Sequence, residues 1–170
     1  MSAILSALGL HASSPLDVPP SYGAYYLIFH FLWAYAGLSS RPWKRRYGID
    51  HQVSPREDLT KYGTKAVESG KITQAQLNQM KRVEAASANS VEHYTLFVGS
   101  MLWAHMAGLP TTTINRSALA YTVARVAYAG LYIFADRYSV ARWRGLVWWV
   151  SNVVCLRLLW IGGKAMNNHA

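Results

Sequence analysis

Three runs in the sequence place polar side chains at helical spacing inside otherwise apolar stretches. Asn89 and Glu92 lie three residues apart. Tyr121, Arg125, Tyr128 and Tyr132 follow one another at intervals of four, three and four, and Arg144, Trp148, Ser151 and Cys155 repeat those intervals. Side chains three and four positions apart share a helix face, so each run forms one stripe. Glu92 and Arg125 can pair with each other and hold two helices together, or each can receive a ligand group of opposite charge. Three converging stripes exceed what a single structural pair requires. His30, His93 and His105 read as packing residues, and no two histidines stand at i, i+4 with a carboxylate, so no metal site is expected. Cys155, in an apolar stretch, reads as a poor nucleophile.

The elements that carry these stripes follow from the distribution of charge. The chain has 170 residues, of which 52% are hydrophobic and 15% charged, against ~25% charged in soluble domains. Seven Trp and eleven Tyr exclude a disordered chain, and one Cys excludes a disulfide scaffold. Four windows are almost free of charge. Residues 22–40 have none, 85–109 hold only Glu92, 117–135 only Arg125 and 145–163 only Arg157. Each is long enough for a helix to cross a ~30 Å hydrocarbon core. The expected architecture is all-α: a four-helix transmembrane bundle over 22–163, preceded by a flexible lead-in over 1–21 and followed by a tail over 164–170.

Residues 41–84 form a long first loop with a short helix of their own. Ser54-Pro55-Arg56-Glu57 spells an N-cap, a Pro at the first helical position and a capping-box Glu, so a helix is predicted from Pro55 to about Glu68, ending at Gly70. Thr73-Gln74-Ala75-Gln76 repeats the capping pattern and opens one long helix from Gln74 to about Ala107. No internal repeat, Gly-rich phosphate loop or nucleophile elbow occurs. Residues 3–10 form a short apolar run without a basic stretch before it, which does not read as a signal peptide.

The net charge is +9. Ten Lys/Arg fall within residues 41–82, and Arg137, Arg142 and Arg144 follow in the third loop. In a membrane protein this excess marks loops one and three as cytosolic and the bilayer's anionic headgroups, not nucleic acid, as the partner. Both termini are then expected on the other side, in a eukaryote the lumen of the endoplasmic reticulum.

The run Arg82-Val83-Glu84-Ala85-Ala86-Ser87-Ala88-Asn89-Ser90-Val91-Glu92, followed by Phe97, resembles the second span of the MAPEG family, the membrane-associated proteins of eicosanoid and glutathione metabolism. The resemblance extends to Ala124-Arg125-Val126-Ala127-Tyr128 with Tyr132, and to Arg144-Gly145-Leu146-Val147-Trp148. It implies a homotrimer that binds glutathione between subunits near the cytosolic face. Under that resemblance Arg41, Arg45 and Arg125 are candidates for the carboxylates of glutathione, Glu92 for its ammonium and Asn89 for its peptide groups. Tyr128, Tyr132 and Trp148 would wall the site. A free thiol ionises near ~8.5, so a cation must favour the thiolate. That catalytic place falls to Arg144, with Arg142 as rival because loop length leaves the register open by two.

The expected activity is that of an integral-membrane glutathione transferase acting on a lipophilic electrophile. The chain departs from catalytic members at Ala85, Ser87 and Ala88, where they carry Arg and His around the Asn, so the cationic clamp is thinner. Two alternatives stay open: a glutathione-independent isomerase or lyase of a biosynthetic pathway, and a non-catalytic lipid- or ligand-binding membrane scaffold. Arg157 lies deep in the fourth window, with pairing to Glu92 as one reading.

Overall fold

The computed structural model describes residues 2–12 and 18–168, and every regular element among them is helical. Helix α1 spans Ser2–Ala7, α2 Gly23–Leu32, α3 Arg41–Arg46, α4 Gly63–Glu68, α5 Gln74–Met106, α6 Thr111–Phe134, α7 Tyr138–Ala141 and α8 Trp143–Asn168. A π-helical turn, Trp33–Gly37, continues α2. Among the described residues two helices are long and apolar enough to cross a membrane, Thr111–Phe134 and the stretch Tyr138–Asn168. Helix α2 is short, and α5 carries Lys81, Arg82 and Glu84 in its first third.

Helix α5 starts as its sequence dictates. The Thr73 hydroxyl accepts from the Gln76 backbone N–H at 3.2 Å, and the Gln76 side chain accepts from the Thr73 N–H at 2.8 Å. This reciprocal pair satisfies two otherwise unpaired amides. The cap predicted at Ser54 does not form. Residues Pro55–Glu57 make a 3₁₀ turn and Asp58–Tyr62 a π-helical turn before α4 begins. Glu57 pairs forward with Lys61 at 3.6 Å instead of closing back on Ser54.

The distortion brings Asp58 inward. Its side chain is fully buried, 3.0 Å from the Lys44 ammonium, and it accepts from the His51 backbone N–H at 3.0 Å. Lys44 also donates to Glu84 at 3.0 Å, which fastens loop one to α5. Burial opposes both charges, yet the bonds to Lys44 and His51 hold the Asp58 carboxyl below its ordinary value. Burial likewise works against the Lys44 ammonium, but its bonds to Asp58 and Glu84 hold it above its ordinary value.

The signs fix a pH window. A lowered carboxyl stabilises the fold above ~3.9 and loses that contribution as pH falls through its folded value, and a raised ammonium stabilises below ~10.4 and loses it as pH rises. Thermal unfolding in mild detergent is therefore expected to be flat across neutral pH and to weaken at both extremes. Asp58→Asn should flatten the acid limb. It should also cost stability at neutral pH, though less than the about 3–5 kcal/mol of a stranded buried charge, because Lys44 keeps Glu84 at 3.0 Å. An unchanged acid limb in that variant would remove Asp58 as its cause.

The bundle core lies between α5, α6 and α8. Phe97, Met101, Ala104, Ile114, Ala118, Tyr121, Cys155 and Leu158 are buried together. The Phe97 and Tyr121 rings stack at 3.9 Å. His30 of α2 packs edge-on against both rings and shares a hydrogen bond with Thr122 at 2.9 Å. His93 bonds the Tyr121 hydroxyl through Nδ1 at 3.0 Å. Helix α8 buries only the stripe Ser151, Cys155, Leu158 and Gly162. Much of the rest of its surface is apolar, with Trp149, Val153 and Trp160 all exposed.

Both ends of the bundle are tied. Arg82 Nε donates to the Ile133 carbonyl at 2.9 Å, so loops one and three lie at the same end. At the other end the segment read as a flexible lead-in contains α1 and is anchored. The buried Asn115 side chain donates to the Gly9 and Pro20 carbonyls at 3.0 and 2.9 Å and accepts from the Tyr22 N–H at 3.1 Å. Residues Ser13, Ser14 and Pro15 of that lead-in lie outside the described residues. The tail expected from 164 onward continues α8 as far as Asn168.

Candidate functional site

Three helices bring the predicted stripes to the end of the bundle that carries loops one and three. A cavity of about 370 Å³ is lined by Asn89 from α5, Tyr128 and Tyr132 from α6, and Arg144, Gly145 and Trp148 from α8. The Arg144 guanidinium lies 4.4 Å from the centre of the Tyr132 ring. That ring meets Tyr128 edge-on at 5.6 Å. A second cavity of about 220 Å³ lies alongside, lined by Asn89, Glu92, His93, Leu96, Trp148 and Asn152. The two share Asn89 and Trp148, so they form one slot along the α5 and α8 faces.

Arg125 stands behind this slot and is not on its wall. It is 1% exposed. Its Nη2 donates to Asn89 Oδ1 at 3.0 Å and to Ser90 Oγ at 3.2 Å, and its guanidinium lies 4.7 Å from the Tyr128 ring centre. The other terminal nitrogen, Nη1, is buried without a hydrogen-bond partner among the described residues. With Asn89 Oδ1 engaged, the amide NH₂ is the part of Asn89 open to a ligand. Arg125 thus positions Asn89 and Tyr128 and leaves an uncompensated positive charge at the back of the site.

Glu92 does not pair with Arg125, the structural reading that the sequence left open. It is exposed on the slot wall and makes no ion pair or hydrogen bond among the described residues. Arg157 does not pair with it either, being exposed on a different flank of α8. Between the two rival arginines of loop three, Arg144 lines the cavity, whereas Arg142 is the exposed residue that ends α7. Helix α8 begins at Trp143, so Arg144, Trp148 and Asn152 recur every four residues down one face.

Arg41 and Arg45 are not brought to this slot. Arg41 Nη2 donates to Gln52 at 2.6 Å, and Arg41 Nε lies 3.5 Å from Asp50. Arg45 Nε reaches the same Asp50 at 3.2 Å. Arg41 lines a separate cavity of about 430 Å³ with Lys44, Arg56, Glu84, Ser87 and Ala88. On α5, at about 100° per residue, Glu84, Ser87 and Ala88 face roughly a third of a turn away from Asn89 and Glu92.

Sequence reasoning missed His93 and Asn152 as slot residues. Asn152 carried a readable signal, since it falls four after Trp148 and eight after Arg144. His93 carried none, because it is adjacent to Glu92 and its role on the wall depends on Tyr121 holding its Nδ1.

No curated protein and no solved structure matches the chain. A model of the MAPEG family matches residues 21–163, which hold α2, loop one, the π-helical turns and every one of the slot residues. With that match over most of its length, and with apolar helices fit to cross a bilayer, the chain is a membrane protein that belongs to the MAPEG family.

Proposed function

We propose that this protein is an integral-membrane glutathione transferase-like enzyme, joining the sulfur of glutathione to a lipophilic electrophile that reaches the site from the bilayer. The observation that carries the reading is the gathering of Arg144, Tyr128, Tyr132, Trp148 and Asn89 around one cavity. The residues present fit the tripeptide's chemistry. Glu92 offers an unpaired carboxylate to its ammonium, and the Asn89 amide, fixed by Arg125, offers donors to its carbonyls. When bound, glutathione would supply the thiol nucleophile. Arg144, permanently protonated, would stabilise negative charge on that sulfur. The aromatic walls would exclude water and strengthen that interaction.

Each chain lacks part of the expected carboxylate clamp at its own slot, because Arg41 and Arg45 are held at Asp50 outside it. A homotrimer in which the Arg41 cavity of one subunit meets the Arg144 slot of the next would complete it. With the basic loops facing the cytosol, the site opens on the cytosolic side, in a eukaryote that of the endoplasmic reticulum. Adding glutathione to purified protein should produce the ultraviolet absorbance of a bound thiolate. Co-assembling Arg41→Ala chains with Arg144→Ala chains should restore part of the activity that each variant lacks alone. No restoration in mixed assemblies of confirmed trimeric mass would count against a shared site.

A second reading is favoured by Ala85, Ser87 and Ala88, of which Ser87 and Ala88 line the Arg41 cavity with small side chains. A glutathione-independent isomerase or lyase would need no cationic clamp there. Turnover of a lipophilic substrate in the absence of glutathione would select that reading.

A further inference from the structure

Two arginines on the outer surface of the bundle are not used by the proposed reaction. Arg116 and Arg157 are both exposed, and neither makes an ion pair among the described residues. A guanidinium on a membrane-spanning helix is costly unless it faces a counter-charge, water or lipid headgroups. Arg116 lines a groove on the outer surface, and helix periodicity sets Arg157 on the flank of α8 that continues its wall. This cavity, about 710 Å³, is bounded by Leu5 and Leu10 at the α1 end and by apolar side chains of α6 and α8.

The groove has the shape of a lipid site. Its α6 wall runs from Arg116 through Ala120 and Val123 to Ala127, about 16 Å of helix, or about half the ~30 Å hydrocarbon core. Small side chains at Ala120 and Ala127 form the hollow. On α8, Val147 and Val150 line it. Val147, Val150, Val154 and Arg157 recur at three, four and three, so Arg157 extends that wall.

The two cations lie within about 6 Å of each other in depth. Arg116 stands 18 positions before Phe134 and Arg157 14 positions after Trp143, which puts them about 27 and 21 Å from the loop-three end. Arg116 Nε donates to the Leu10 carbonyl at 2.6 Å, which directs the guanidinium to the mouth beside α1. The glutathione slot uses Arg144, Trp148 and Asn152, on the other flank of the buried α8 stripe. A subunit seated on the slot would therefore leave the groove facing lipid.

We propose that this groove holds one anionic phospholipid, with its phosphate between Arg116 and Arg157 and an acyl chain running along α6 toward Ala127. Charge complementarity at one end and an apolar channel of one leaflet's depth argue for that occupant over a second copy of the chain. The inference goes beyond the proposed reaction and does not depend on glutathione.

The test uses the assembled protein, stripped of lipid in mild detergent and offered phosphatidylglycerol or phosphatidylcholine with identical chains. Native mass spectrometry should show phosphatidylglycerol retained at least ten-fold better. Arg157→Gln removes a charge that holds no partner in the fold, and it should lower that preference several-fold with assembly mass and melting unchanged. Ala120→Leu fills the hollow and should lower retention of both lipids. Equal retention of the two lipids, or an undiminished preference in Arg157→Gln, would overturn the proposal. So would an Ala120→Leu variant that changes the number of chains assembled while keeping its lipid, since a second copy would then be the occupant.

Discussion

Arg144→Ala is expected to slow the chemical step by about two to three orders of magnitude, the usual cost of removing one positioned electrostatic group. The same variant should raise the pH at which bound glutathione shows thiolate absorbance. Each unit of that rise corresponds to ~1.4 kcal/mol of lost preference for the anion. Binding should fall much less, because Glu92 and Asn89, proposed for the other end of the ligand, are untouched. Loss of the contact with Tyr132, at 4.4 Å, costs about 0.5–1 kcal/mol of stability at most, too little to unfold the bundle. Arg142→Ala is the matched control. Arg142 is exposed and lines neither half of the slot, so rate and thiolate should stay at the unmutated level. If both variants keep full thiolate formation and full rate, the sulfur anion is not stabilised at this place. If the loss follows Arg142 instead, the catalytic cation comes from α7 and the slot geometry has been misread.

What the sequence makes legible is what helix periodicity controls. The α6 stripe could be read because Tyr121, Arg125, Tyr128 and Tyr132 are neighbours on any α-helix, whatever packs against it. The Thr73 cap could be read because its bonds close within four residues. The Ser54 cap shares that local pattern and still fails. There the Lys44–Asp58 pair, at 3.0 Å between residues from separate parts of loop one, draws the backbone into a π-helical turn. Leaving the buried Asp58 carboxylate without its cation would cost more than the about 1 kcal/mol of a cap, and nothing local in the sequence announces the pair. The docking of α1 was hidden for the same reason, since its anchors Asn115 and Arg116 lie more than a hundred residues away.

The site shows the same division. Its helical members, Asn89, Glu92, Tyr128, Tyr132, Arg144 and Trp148, come together along the slot. The choice between Arg142 and Arg144 could not be made from the sequence, because it depends on where α8 begins. The placement of Arg41 and Arg45 depends on loop-one contacts with Asp50 and Gln52, which no spacing rule supplies. The role of Arg125 also changes with packing. Its stripe is right, but burial behind Asn89 turns a candidate ligand contact into a group that fixes another residue's amide.

Glu92→Gln separates ligand binding from fold stability most cleanly, because the unpaired state of Glu92 fixes the expected sign. A carboxylate that held Arg125 would leave a buried cation stranded when neutralised, at a cost of about 3–5 kcal/mol. Glu92 does not hold Arg125, so its neutralisation should leave melting within about 0.5 kcal/mol of the unmutated protein. Its charge is then free for a ligand ammonium. Losing a charge-assisted hydrogen bond of that kind costs about 1.5–3 kcal/mol, so glutathione should bind at least ten-fold more weakly. The rate at saturating glutathione should change little, since Arg144 is untouched. Calorimetric titration and thermal unfolding of the same detergent-purified assembly measure both quantities. Unchanged binding together with a destabilised assembly would assign Glu92 to a contact between subunits and take the ammonium contact away from it. A drop in binding at constant melting, reproduced by a glutathione analogue that lacks its amino group on the unmutated protein, would fix the ligand's orientation: ammonium at Glu92, sulfur at Arg144.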